Sequence, residues 1–204
     1  MNLESMKLVY AFSCAVLCLI ILFPTLMVLG SFWGIDFPAE ERFSELWILG
    51  PNHMAEGIPL TVSANQPYHV YLGVGNHLGE LEYYAVRVKF GNQVETAGDR
   101  EKGLPSPLEP ILEYRLFLSN NQTWEMDFAF SFEDVSFEGN VSTVSRLVVD
   151  GHSVAVDDVA TWDAAKNGFF YMMVFELWIY DKESLAFQYH DRSVGMWLNM
   201  SVPS

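Results

Sequence analysis

Cysteine is nearly absent. Its two copies, Cys14 and Cys18, both fall in one apolar run near the N-terminus. The rest of the chain holds no disulfide, which excludes a small disulfide-stapled secreted scaffold. Basic residues are also scarce, with 11 Lys and Arg against 26 Asp and Glu, a formal net charge of −15. Such a surface repels phosphate backbones and argues against nucleic-acid binding. There is no Gly-x-Ser-x-Gly elbow, no phosphate-binding loop and no dinucleotide fingerprint. Gly73-Val74-Gly75 has no helix after it and reads as a turn or bulge. None of the five histidines, His53, His69, His77, His152 and His190, has the i, i+4 spacing of a helical zinc site. His69 and His190 are the pair that strands would have to bring together. These absences point away from an enzyme and from any cofactor.

Hydrophobic residues make up 50% of the chain, and their arrangement is informative. Leu8–Trp33, "LVYAFSCAVLCLIILFPTLMVLGSFW", carries no charge. About 20 apolar residues cross a bilayer core, so this run suffices for one N-terminal transmembrane helix with some tilt. Pro24 kinks it or ends its regular part. Tyr10 and Trp33 lie near its ends, where amphipathic rings prefer the interface. Its core is longer than that of a cleaved signal, which predicts a retained single-pass anchor over residues 1–34. Three Asn-x-Ser/Thr sequons, at Asn121, Asn140 and Asn199, are possible N-glycosylation sites and favour a domain facing outside the cell membrane.

From Phe43 onward the dominant period is two. In "WEMDFAFSFE", Trp124, Met126, Phe128, Phe130 and Phe132 share one face, while Glu125, Asp127, Ala129, Ser131 and Glu133 share the other. That alternation predicts a strand with an aromatic side against a core. "YAVRVKF", "ILEYRLFLS" and "YHVYLGVGN" read the same way. In "RFSELWILGP", Leu46 and Ile48 should face the core, and Glu45 and Trp47 should face outward. Asp150-Gly151 between two apolar runs is a hairpin signature. "FFYMMVFELWIY" is apolar on nearly both sides and predicts a central strand covered on both faces. A final pair of strands, "LAFQYH" and "GMWLNMS", closes the chain. Eight to ten strands separated by turns predict an all-β, immunoglobulin-like β-sandwich over residues 35–204.

"FSELWILGPNHMAEGIP", "YHVYLGVGNHLGELEYYAVRVKFGNQ" and the closing "FELWIYD" and "YHDRSVGMWLNMS" carry a likeness. With them the chain resembles the extracytoplasmic C-terminal part of an archaeal membrane-protein family, domain of unknown function 1616. The likeness covers Phe43 to Ser201 without the middle, so that residues 135–167 read as an insertion. Members carry several N-terminal membrane helices and this chain has one. The resemblance implies a topology and a fold, and brings no activity.

The residues left for function are exposed aromatics and loop acids. Trp47, Trp162 and Trp178 suit stacking on a sugar or a partner. Asp157 and Asp158 lie in the loop acids of "AVDDVATWD", which suit calcium, although no calcium-loop spacing is present. The expectation is an interaction or structural domain, a subunit or scaffold at the archaeal cell surface with protein partners in the membrane or envelope. The alternative is a ligand-binding module for glycan or calcium on the same anchor.

Overall fold

The structure, a computed structural model, describes residues 7, 12–14, 16–22, 41–95, 98–99 and 102–202. It divides into two compact units, Met1–Glu41 and Arg42–Ser204. In the first, residues 12–14 and 16–22 are helical. Among the described residues no helix is long and apolar enough to cross a membrane. Tyr10, Pro24 and Trp33, on which the expected transmembrane span relies, lie outside the described residues.

The second unit is a two-sheet β-sandwich of ten strands among the described residues. The first sheet runs β1 (Phe43–Leu49), β3 (Pro67–His77), β6 (Gln122–Glu138), β7 (Val141–Val149) and β8 (His152–Thr161). The second runs β2 (Thr61–Val62), β10 (Ala186–Met200), β9 (Phe169–Asp181), β4 (Glu82–Asn92) and β5 (Pro110–Leu118). Neighbours are antiparallel except β2 and β10. After β2, Ala64 bridges to Phe132, so the chain changes sheets within a few residues.

The inner faces are those the alternation marks. Val70, Leu72, Val74, Tyr84, Val86, Val88, Phe128 and Phe132 are fully buried. Each such side chain contributes about 1.5–3 kcal/mol relative to exposure. Phe128 meets Phe175 of the facing sheet edge-on at 4.9 Å, and Phe90 stacks on Tyr171 at 5.5 Å. Ile48 is buried and Leu46 packs against the core from β1, as expected. β9 lies between β10 and β4 and is covered on both faces from Tyr171 to Leu177. Asp150 and Gly151 take φ values of 47° and 77° and join β7 to β8, the hairpin expected of that dipeptide.

Polar groups tie the two sheets together at set levels. Tyr84 of β4 is hydrogen-bonded to Ser44 of β1 at 2.8 Å, and Tyr171 of β9 donates to the Ser142 carbonyl of β7 at 2.8 Å. Tyr114 of β5 donates to the Asp150 carboxylate in the turn after β7. Burial raises the pKa of all three phenols. A buried hydroxyl with a partner costs little, whereas one without costs several times as much. Each bond therefore fixes how one sheet sits on the other.

Two expectations need revision. The closing pair of strands is one strand, β10, with an irregularity. Tyr189 faces Trp178 and Arg192 faces Leu177, so His190 and Asp191 are extra residues. Asp191 takes the left-handed φ of 51° that lets the strand resume its register. Gly73 and Gly75 form no turn or bulge, because β3 pairs in register through both with β1 and β6. Residues 135–167 build the end of β6, all of β7 and β8, and the turn beyond. Their Val144, Leu147, Val149 and Ala160 are fully buried, so the segment is part of the core.

The bulge in β10 has a structural consequence. It turns His190 inward, where its Nε2 lies 3.0 Å from Ser44 Oγ, while Arg192 Nε donates to the Ser44 carbonyl at 3.2 Å. Burial holds the His190 pKa below the ordinary imidazole value. Arg192 pushes the same way and Asp191 opposes. The unfolded chain then takes up a proton before the folded one as pH falls below about 6.5. Stability should therefore decline as pH falls from 7 through that value. Chemical denaturation of the wild type and H190Q at pH 7.5 and 5.5 checks this. The difference between the two pH values should shrink in H190Q.

Candidate interaction surfaces

The outer face of the first sheet is built on Gly73. With no Cβ at that position the Trp47 indole lies directly across β3, and a Cβ there would collide with the ring. Trp47 Nε1 donates to Glu125 Oε2 on β6 at 3.2 Å. The other oxygen of Glu125 lies 2.7 Å from His53 Nδ1, and the His53 ring stacks on Tyr71 at 3.7 Å. Four side chains from three strands and a loop thus hold one another in place, with Trp47 half-buried and His53 exposed. The Glu45 carboxylate lies 3.4 Å from His77, and His69 lies 3.0 Å from Asp127. His53, His69 and His77 therefore each have an acidic partner. A groove of 510 Å³ borders the cluster, with Pro51, Pro59, Pro67, Tyr71, His69 and Asp127 in its walls.

Trp178 lies on the outer face of the second sheet. The Arg87 guanidinium sits 3.9 Å above its ring. Its Nε1 donates to Glu176 Oε2 at 3.3 Å. Glu176 is fully buried and Lys89 almost so, and they pair at 2.9 Å. The Ser106 N–H donates to Glu176 Oε1 at 2.5 Å, and Lys89 donates to the Ser106 carbonyl at 2.6 Å. The connection between β4 and β5 is thereby pinned over the sheet. Both Glu176 oxygens, the Lys89 ammonium and the Trp178 N–H have partners, so the group acts as a clasp.

Trp162 is 38% exposed at the end of β8 and meets Phe169 edge-on at 5.1 Å. Asp157 is exposed with a φ of 48°. Asp158 turns inward, accepting from Asn92 at 2.7 Å and from the Val159 N–H at 2.8 Å. Burial raises its pKa. The named tryptophans and acids thus occupy separate places. Asn121 and Asn140 are exposed in turns, and the Asn199 amide is half-buried against Gly168. His69 and His190 do not meet, since His69 bonds to Asp127 and His190 to Ser44. Among the described residues no three His, Cys, Asp or Glu groups converge as metal ligands. Sequence reasoning missed Tyr71, His53 and Glu125. The available signal was a glycine inside a strand pattern, which marks close approach by another group.

Two measurements check this account. Removing one partner of a buried ion pair leaves an uncompensated charge, so K89M is expected to cost about 3–5 kcal/mol in denaturant unfolding. The double variant K89M/E176L should recover most of that loss. Where the chain is glycosylated, peptide mass spectrometry should find Asn121 or Asn140 modified and Asn199 bare.

No curated protein matches the chain. Among solved structures, the CARDB domain of a Pyrococcus furiosus protein, crystallised with di-metal ions, is 11% identical. That match covers 81% of this chain and 94% of that one at a TM-score of 0.41. The C-terminal domain of Wzt is 9% identical over 82% of this chain and 81% of its own, at 0.38. A β-glucosidase from Listeria innocua in complex with gluconolactone is 9% identical over 80% of this chain and 17% of its own, at 0.33. Residues 38–143, more than half of the chain, match the family model described as Domain of unknown function (DUF1616), and the chain belongs to that family.

Proposed function

We propose that the chain is a membrane-anchored interaction domain, a subunit or scaffold at the archaeal cell surface. Leu8–Trp33 forms its single transmembrane helix, and an immunoglobulin-like sandwich faces outside. It acts by binding protein partners in the membrane or envelope, with no catalytic step and no nucleic acid. The observation that carries this reading is the Trp47 cluster on the outer face of the first sheet. Aromatic anchors held in place before contact and bordered by polar groups are what a recognition surface needs. Trp47 is fixed by Gly73 and Glu125, and His53 by Glu125 and Tyr71. The carboxylates of Glu45, Glu125 and Asp127 favour a partner that is neutral or basic there.

Native purification from membranes in mild detergent, with identification of co-purifying proteins, tests this reading. Defined membrane proteins should accompany the wild type in stoichiometric amounts. W47A and E125Q should lose them while retaining the thermal midpoint to within a few degrees. A wild-type chain that emerges alone and monomeric would refute the proposal.

The second reading is a glycan-binding module. It draws on the groove walled by Tyr71, His69 and Asp127, where an aromatic ring adjoins hydrogen-bonding groups. Calorimetry with cell-surface glycans should then give heat that D127A abolishes. The calcium form of this reading has less support, because Asp158 is already engaged by Asn92 and Val159.

A further inference from the structure

We infer that the end of the sandwich at which the chain enters rests on a lipid surface, through a patch made by Leu81, Tyr83, Phe117, Tyr180, Leu185 and Phe187. The inference rests on the reading of Leu8–Trp33 as a membrane anchor, and it specifies which part of the domain meets the bilayer.

β1 starts at Phe43 opposite His77, so Arg42 marks this end. Three connections gather there, residues 78–81, 119–121 and 182–185. The Gly79 N–H donates to Asn120 Oδ1 at 2.9 Å, and Lys182 lies 3.7 Å from Glu80. On the outer side of the second sheet, Tyr83 stacks flat on Phe117 at 4.2 Å. Phe187 meets Tyr83 edge-on at 5.0 Å and Tyr180 at 5.5 Å. Leu81, Phe117 and Leu185 are 57%, 63% and 73% exposed. The Arg115 guanidinium lies 5.3 Å over Phe187. Tyrosines and phenylalanines with leucines at the loop tips, and long cations beside them, form the composition that settles at headgroup level.

Leu185 is a second, independent observation. Its φ is 54°, a left-handed value that favours Gly or Asn. An apolar side chain held in a strained turn and exposed to water does nothing for folding. It makes sense if something apolar covers it.

The occupant follows from where the chain leads. Residues 34–41 reach at most about 28 Å when fully extended. The 13 residues of β9 put the opposite end of the sandwich, near Lys166, on the order of 40 Å away. The end beginning at Arg42 is the one within easy reach of a bilayer. Glu80, Glu82 and Glu183 share this end, so zwitterionic lipid suits it better than anionic lipid.

The test uses the full chain with Cys14→Ala and Cys18→Ala. An environment-sensitive fluorophore is placed at Glu183→Cys, or at Lys166→Cys as a control, and the protein is reconstituted into phosphatidylcholine vesicles with or without brominated acyl chains. The label at 183 should emit further to the blue and be quenched severalfold more by bromolipid than the label at 166. Adding L185N should raise the thermal midpoint yet reduce quenching at 183, and F117E should also reduce it. A chain that survives an alkaline wash while both labels report water would overturn the inference and leave the anchor standing. A chain that washes off would overturn the anchor reading and this inference with it. A blue shift without bromolipid quenching would overturn it in favour of a protein occupant, such as a second copy.

Discussion

Aromatic packing between the two sheets is the constraint on which the rest of this domain depends. With no cysteine after Cys18, no disulfide joins the sheets. Phe128, Phe130 and Phe132 on β6 face Phe175, Tyr171 and Phe90 on the opposite sheet. Dispersion and burial are not directional, so rings alone would tolerate sliding. Tyr84, Tyr114 and Tyr171 remove that freedom because each hydroxyl is hydrogen-bonded to a residue across the interior. Apolar area gives cohesion, and the three phenols give register.

The outer faces use the same economy. A strand interior is a poor place for glycine unless something needs the space. Gly73 gives that space to Trp47, and the indole is then held by a carboxylate that also holds His53. On the other sheet, a buried Lys89–Glu176 pair fastens the connection between β4 and β5. The two arrangements look similar, since each has an indole on a glutamate, but Glu125 is about a third exposed and Glu176 fully buried. One stays at the surface with the exposed His53, and the other is consumed by the fold.

The groove walled by Tyr71, His69 and Asp127 lies on the same outer face as the Trp47 cluster, because Asp127 and Glu125 are two residues apart on β6. The stack of Tyr83 on Phe117 lies on the other sheet.

Alternating runs determined most of the fold. Period two places every second side chain on one face whatever the partner strand. The inward sets of β3, β4, β5 and β6 could therefore be read directly from the sequence, as could the Asp150-Gly151 hairpin and the central position of β9. The all-β class followed from the same pattern. Sequence alone did not determine events that depend on a neighbour. The two residues inserted in β10 show only against the regular spacing of β9, so the last strand looked like two. Trp47 and Trp178 looked alike as exposed aromatics. Tertiary contact separated them, since Gly73, Glu125 and Tyr71 are distant in the chain from Trp47 and converge only when β1, β3 and β6 pair.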